Sequence, residues 1–387
     1  NYNINLQSNL LILSGIYVHI PFCKKACHYC DFHFTTNLAN TKKMTDSICK
    51  EMEIRKKEFS GNYNSLYFGG GTPSVLAISE IKQILDHLSK YTNRSELIEV
   101  TVEVNPEDIT EMLLKGYREL GVNRLSIGVQ SLNDEILKWM NRSHNQEKAI
   151  QSILLAKKMG FENISVDFIY GVPGYPNRNI KEELLSLLST KPFHISCYHF
   201  TIEDKTYFGH LKKQNKLKEI RDTQSEEEFK IITHLLCTNR YIHYEISNFS
   251  LPGKSSKHNT NYWKKNNYLG FGPSAHSYQY PYRSWNVSNN IQYIQQVSTN
   301  SFYPQKEELS EIDHFNELVM LGLRTSEGVN LLEALKLLNE KNKSDFKVKI
   351  DRFLHDGLLK IKNDILVMNK EKWLLSEFIS RELFILN

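Results

Sequence analysis

Three cysteines within one short loop, Cys23, Cys27 and Cys30, constrain this chain more than any other stretch. They are spaced C-x3-C-x2-C and follow directly on an apolar strand, Gly15 to Ile20. Such a spacing can wrap one small inorganic centre and leaves it one ligand short, because closed iron–sulfur and zinc sites normally take four protein ligands. Three thiolates on a four-iron cluster leave one iron open to a non-protein ligand. Zinc, aided by His28 or His33, is the alternative at this point, although the second ligand pair of a structural zinc site is missing. The other cysteines, Cys49, Cys197 and Cys237, are scattered and read as buried small hydrophobes. This usage predicts a cytoplasmic, reducing setting and no disulfide framework.

Behind the loop, strand and helix patterns alternate. Strands are expected at Ile16–Ile20, Ser65–Phe68, Glu99–Val104, Asn123–Val129, Ile164–Tyr170 and His194–Phe200. Helices are expected near 38–59, from about Ser79, up to Gly121, after Asn133 and from about Asn179. That order predicts an α/β fold built on a parallel sheet. Period-two reading separates two faces of each strand. Ile16, Val18 and Ile20, then Val100, Val102 and Val104, form an apolar face for the helices. Tyr17 and His19, Thr101 and Glu103, Ser126, Gly128 and Gln130, and Ser165 and Asp167 form a polar one. An ordinary closed barrel fills its interior with branched apolar side chains. A polar interior predicts a wide, incomplete (βα)6-type barrel with a ligand inside.

The chain has 387 residues, enough for that barrel and more. An N-terminal arm over 1–14, with no signal-peptide pattern, precedes a barrel over 15–205. An extension over 206–305 holds a helix near Thr223–Asn239, one strand over Tyr241–Phe249, an irregular segment from Pro252 to Ser277 and a hairpin around Pro281. A helical, winged-helix-like C-terminal domain over 306–387 closes the chain, its two-stranded wing turning at Asn363-Asp364. The net charge of +4 does not call for nucleic acid, and no apolar run approaches a membrane span.

The remaining special residues gather at or beyond the C-terminal ends of the strands, where parallel α/β folds bind ligands. Gly69-Gly70-Gly71-Thr72 lets backbone approach a ligand closely, and its amides read as a binding place for a carboxylate or phosphate, the bland reading being a tight turn. Glu103 and Asp167 suit an amine or ribose, and Arg142 a carboxylate, against the alternative of a structural ion-pair network. A ligand carrying all three groups fits S-adenosylmethionine.

With Tyr29 before the third cysteine and Gly-Gly-Gly-Thr-Pro downstream, the chain resembles the radical S-adenosylmethionine superfamily. The stretches Tyr17 to Cys23, Arg124 to Ser131 and Asp167 to Gly174 narrow this to the oxygen-independent coproporphyrinogen oxidase group. The resemblance implies a [4Fe–4S] cluster on Cys23, Cys27 and Cys30. It implies S-adenosylmethionine contacts at Tyr17, Tyr29, Gly70, Gly71, Thr72, Glu103, Gln130, Arg142 and Asp167. The oxidase pattern has a fourth cysteine where Phe32 stands here, and a longer arm before its first strand. Both departures turn the expectation from a tetrapyrrole oxidase or decarboxylase towards the group's heme-chaperone branch. That branch shares Cys30-Asp31-Phe32 and the segment His258-Asn259-Thr260-Asn261-Tyr262-Trp263. It implies heme as ligand and heme-accepting, respiratory and membrane-bound proteins as partners, with peripheral membrane contact and oligomers compatible. His258 is then a candidate iron ligand with Tyr262 and Trp263 covering the macrocycle, ahead of His243 and His276; otherwise these residues pin a loop onto the barrel.

Overall fold

The computed structural model describes residues 13–386, so the expected N-terminal arm lies almost wholly outside the described residues. The barrel half runs β1 (Leu13–Ile20), α1 (Thr41–Ile54), β2 (Asn62–Gly70), α2 (Ile78–Leu88), β3 (Glu99–Val104), α3 (Glu111–Glu119) and β4 (Arg124–Gln130). It continues with α4 (Asp134–Trp139), α5 (Gln146–Lys158), β5 (Asn163–Tyr170), α6 (Ile180–Ser189) and β6 (His194–His199). All six strands pair in parallel in sequence order. Ile16, Val18, Val102, Leu125, Ile127, Ile164 and Val166 are fully buried against the helices, as their period-two positions require. Side-chain caps from Thr110, Asn133, Asn145 and Asn179 start α3 to α6 by accepting from the first free amides.

After α7 (Tyr207–Lys213) and α8 (Asp222–Thr238), the expected single strand is a hairpin of β7 (Ile242–Glu245) and β8 (Asn248–Ser250). β8 pairs antiparallel with β6, so this hairpin extends that edge of the sheet. The expected irregular segment contains α9 (Lys257–Trp263) and β9 (Tyr268–Phe271). β9 pairs in parallel with β1 on the opposite edge. β10 (His276–Gln279), β11 (Tyr282–Trp285) and, after α10 (Asn290–Ser298), β12 (Gln305–Glu308) continue that edge antiparallel. Among the described residues the sheet therefore has twelve strands, with β1 to β6 at its centre.

A buried network explains why β9 docks there. Arg55 pairs with Glu51 at 2.7 Å and donates to the Gly270 carbonyl at 2.6 Å. Glu51 also accepts from the Gly272 amide, the Asn286 amide group and the Tyr293 hydroxyl. A buried ion pair is retained only when its remaining valences are met, as they are here.

The C-terminal unit comprises α11 (Glu311–Leu323), β13 (Val329–Asn330), α12 (Leu331–Lys336), α13 (Glu340–His355), β14 (Leu359–Lys362), β15 (Ile365–Met368) and α14 (Ser376–Leu383). The wing turns at Asn363 and Asp364, both at positive φ (49° and 63°), the backbone a two-residue hairpin needs. Glu308, expected to open a helix, ends β12 instead; Ser310 starts α11 through a reciprocal cap with Asp313.

Candidate functional site

The strands' polar faces enclose a cavity of about 620 Å³ that runs from the cysteine loop to α9. Cys23, Cys27 and Cys30 all line it, and none is in a disulfide. The loop that carries them is fixed by backbone bonds. The Cys23 amide donates to Thr35 at 3.0 Å, the Cys30 amide to Cys27 at 3.3 Å and the His28 amide to Met140 at 3.1 Å. Thr72 Oγ1 donates to Cys23 Sγ at 3.3 Å, and Arg142 Nη1 to Cys27 Sγ at 3.4 Å. Donors aimed at sulfur suit thiolate ligands. Burial pushes the bare Cys23 thiol up to about 12 and Cys30 to about 11, so loading a centre here would displace protons.

Among the described residues, no three His, Cys, Asp or Glu side chains converge on the point a single metal ion would occupy. His28 Nδ1 donates to the Trp139 carbonyl, and His33 Nε2 is bonded to Asn290. Neither imidazole joins the thiols, which removes the support offered to zinc. A cluster distributes its thiolates over several irons, so three thiols around one cavity mouth fit it chemically.

The cavity walls then take up the other expected residues. Tyr29, Gly70, Gly71, Thr72, Glu103, Gln130, Arg142 and Asp167 all line it. Glu103 accepts from Tyr67 Oη at 2.8 Å and from the Gly70 amide. Burial, with Asp167 nearby, still lifts its carboxyl to about 8. Burial lifts Asp167 to about 6 although Ser196 and Ser126 donate to it. Both acids have hydroxyl donors but, among the described residues, no ion-pair partner that would hold them charged. Arg142 Nη2 donates to Asn105 and to the Gly128 carbonyl, each at 2.7 Å, while its Nε is buried without a partner. Two buried acids without an ion-pair partner among the described residues and an orphaned guanidinium donor in one wall fit a zwitterionic nucleoside such as S-adenosylmethionine.

Several expectations need correction. The glycine run is not an open anion cradle. The Gly70 amide serves Glu103, the Gly71 amide donates to Ile20 at 2.9 Å and the Thr72 amide to Phe22 at 2.7 Å. Its glycines are needed for close approach: a Cβ on Gly71 would meet Phe22 O at 2.7 Å. Carbonyl oxygens, not amides, are what this run has left for a ligand. Tyr17 is not in the cavity wall; its hydroxyl is bonded to His19 Nδ1 at 3.1 Å and its ring lies beside Tyr67. Cys237 is exposed, whereas Cys49 and Cys197 are buried.

His258, Tyr262 and Trp263 do not form one open site. α9 plugs the end of the barrel opposite the cysteines. His258 is fully buried there, with Nδ1 bonded to Ser65 Oγ at 3.0 Å and Nε2 to Tyr262 Oη at 2.8 Å. Its ring stacks on Tyr67, and burial lowers its pKa to about 3. With both nitrogens engaged, it pins the plug and offers iron no lone pair. Trp263 faces a different cavity, against the C-terminal unit, with Arg324 over its ring at 5.6 Å. His243 is buried between Phe249 and Trp373, and His276 lies exposed beside Trp285.

Tyr198, on the polar face of the sixth strand as its period-two position predicts, also lines the wall, and residues not singled out from sequence complete it: Tyr67, Arg124, Asn105, His199 and Phe200. Arg124 is buried, 4.0 Å from Glu99, with its Nε unpartnered. Its position two residues before Ser126 on the polar face was the available signal.

Residues 17–187 match the model of the radical SAM superfamily, and residues 309–375 that of the HemN C-terminal domain. The heme chaperone HemW of Lactococcus lactis is 32% identical over 92% of this chain and 91% of its own length. HemW of Bacillus subtilis is 34% identical over 82% of this chain and 85% of its own. The structure of coproporphyrinogen III oxidase (HemN) from Escherichia coli superposes with a TM-score of 0.82, covering 96% of this chain and 90% of that one at 22% identity. That likeness establishes the fold.

Proposed function

The chain belongs to the HemW family of radical SAM proteins, and from that membership we propose that it is a heme chaperone, binding heme and passing it to acceptor proteins. Similarity to proteins named heme chaperones along nine-tenths of both chains carries this reading. The site supports it at one residue in particular: Phe32, where the oxidase pattern has its fourth cysteine, stands at the cavity mouth with 71% of its surface exposed.

In this reading Cys23, Cys27 and Cys30 hold a [4Fe–4S] cluster and the barrel cavity holds S-adenosylmethionine. When bound, that pair supplies reductive cleavage chemistry of the sulfonium type. The chain's own residues do the binding. Arg142 orients a carboxylate beside the cysteine loop, Glu103 and Asp167 take amine and ribose hydroxyls, and the glycine run closes the wall on them. Acceptors on a membrane and oligomer formation belong to the same reading; among the described residues no helix is long and apolar enough to cross a membrane.

The competing reading is a radical oxidase acting on a tetrapyrrole, favoured by the completeness of the cavity. One pair of assays separates them. With the cluster reconstituted anaerobically, hemin titration should develop a Soret band at about one heme per chain, and coproporphyrinogen III with reductant should give no protoporphyrinogen. Turnover without a Soret band would overturn the chaperone reading.

A further inference from the structure

His28 lies inside the cysteine loop but turns away from it. Its backbone is held on both sides: the amide donates to Met140 at 3.1 Å and the carbonyl accepts from Phe208 at 3.1 Å. Its Nδ1 lies 2.9 Å from the Trp139 carbonyl. A carbonyl only accepts, so Nδ1 carries the proton and the lone pair of the neutral ring sits on Nε2. No hydrogen bond engages Nε2 among the described residues. An imidazole tethered through one nitrogen to a carbonyl, with the other free, is how proteins present histidine to a metal.

The surroundings are aromatic. His28 opens onto a shallow groove of about 500 Å³ outside the barrel. Trp139 and Phe208 stack at 4.0 Å, Tyr175 meets Trp139 edge-on at 5.9 Å, and Tyr207 lies over the imidazole at 4.2 Å. Tyr207 is 53% exposed, so its ring is accessible from the groove. Lys138, at the groove's edge, is exposed and has no ion-pair partner among the described residues, beside an exposed Glu135.

Three other histidines near aromatic residues compare poorly. His258 has both nitrogens engaged. In the cavity at Trp263, His314 Nδ1 is already bonded to Lys265. His199 sits in the barrel wall, in space that the nucleoside needs.

We propose that heme docks in the groove of Trp139, Tyr175 and Tyr207, backed by the buried Phe208, with its iron on Nε2 of His28. This rests on the chaperone reading and places its cargo outside the barrel. Aromatic faces cover part of the macrocycle, and Lys138 meets a propionate. The groove is open, so one heme edge stays in water. An exposed, singly ligated heme is suited to being handed on, whereas an enclosed one is suited to being kept.

The test uses the full chain with its cluster reconstituted, titrated with hemin. His28→Asn keeps a donor for the Trp139 carbonyl and removes the metal-binding lone pair. It should shift the Soret band and weaken heme binding by at least about tenfold, with cluster absorbance and S-adenosylmethionine binding unchanged. His28→Met supplies a different ligand and should retain heme with a changed spectrum. Tyr207→Ala should weaken binding without moving the band. Wild-type spectrum and affinity in both His28 variants would overturn this site while leaving the chaperone reading intact. Failure of the unaltered chain to bind heme at all would remove that reading first, and this site with it.

Discussion

His258 shows how a residue's meaning depends on partners that sequence distance hides. Beside Tyr262 and Trp263 it has the look of a ligand with an aromatic cover. In the fold its ring is fixed by Ser65, 193 residues earlier, and by Tyr262 one turn on. Gly15 makes room for it: a Cβ there would stand 3.1 Å from the ring. Replacing His258 by Ala would leave the Ser65 and Tyr262 hydroxyls buried without partners and open a cavity. The expected cost is about 2–4 kcal/mol in urea unfolding, with the Soret position of added heme unchanged. A stable variant that lost the heme band would restore it as the ligand. The cysteines, Glu103 and Asp167 were legible because local spacing and strand period are enough to place them. His258, Arg124 and Tyr67 were not, because their roles are set by residues on other strands. The glycine run was legible as a place and misread as chemistry, since its amides are engaged by the cysteine loop and by Glu103.

At the scale of elements, the six central strands followed from alternation, while the two ends of the sheet did not. α9 is only seven residues long, too short for a periodic pattern to stand out, and its start is set from elsewhere. Glu99, the first residue of β3, accepts from Ser256 Oγ at 3.2 Å and from the amides of Lys257 and His258 at 2.9 and 3.0 Å. A buried carboxylate at a helix start satisfies free amides and complements the positive end of the backbone dipoles. It is also the acid nearest buried Arg124. Glu99→Ala is therefore expected to cost about 3 kcal/mol and to speed hydrogen exchange at the α9 amides, with Glu99→Gln intermediate on both readouts. Unchanged protection of α9 in Glu99→Ala would show that the plug is held by its aromatic stacking alone. β9 has a similar logic: its strand pattern is four residues long, and the Arg55–Glu51 network on α1 secures its place.

The whole molecule behaves as one packed body, and that sets how its buried charges act. One continuous core joins Ile16 of β1 to Leu383 of α14. The Ile246 amide donates to Arg324, the Ser326 amide to Tyr244, and His243 stands edge-on to Trp373 at 4.4 Å. Ionisation anywhere in this body bears on a shared unfolding equilibrium. Burial lowers His258 and His243 to about 3 and His19 to about 4. The unfolded chain then binds more protons than the folded one below the ordinary imidazole value. Stability from these three is complete above about pH 6.5 and is lost as pH falls towards 3–4. Glu103 acts in the opposite sense. Its folded value of about 8 lies above the unfolded carboxyl value, so the folded chain holds the extra proton and stability falls as pH rises from about 4.5 to 8. Asp167, lifted to about 6, adds to that fall at the acid end of the same window. The two trends overlap and oppose below pH 6.5; above it Glu103 is the acid with the longest remaining titration, with Glu245, lifted to about 7 by burial, adding to the same fall just above pH 6.5. Cluster-loaded protein without S-adenosylmethionine should lose about 1–3 kcal/mol between pH 6.5 and 8.5, an amount moderated by water reaching the cavity. Glu103→Gln, which keeps the oxygen that accepts from Tyr67, should flatten this alkaline limb and leave the acid limb in place. Urea unfolding at pH 5, 6.5 and 8.5 separates the limbs, and equal alkaline slopes in the two proteins would show that Glu103 is charged and paired before any ligand arrives.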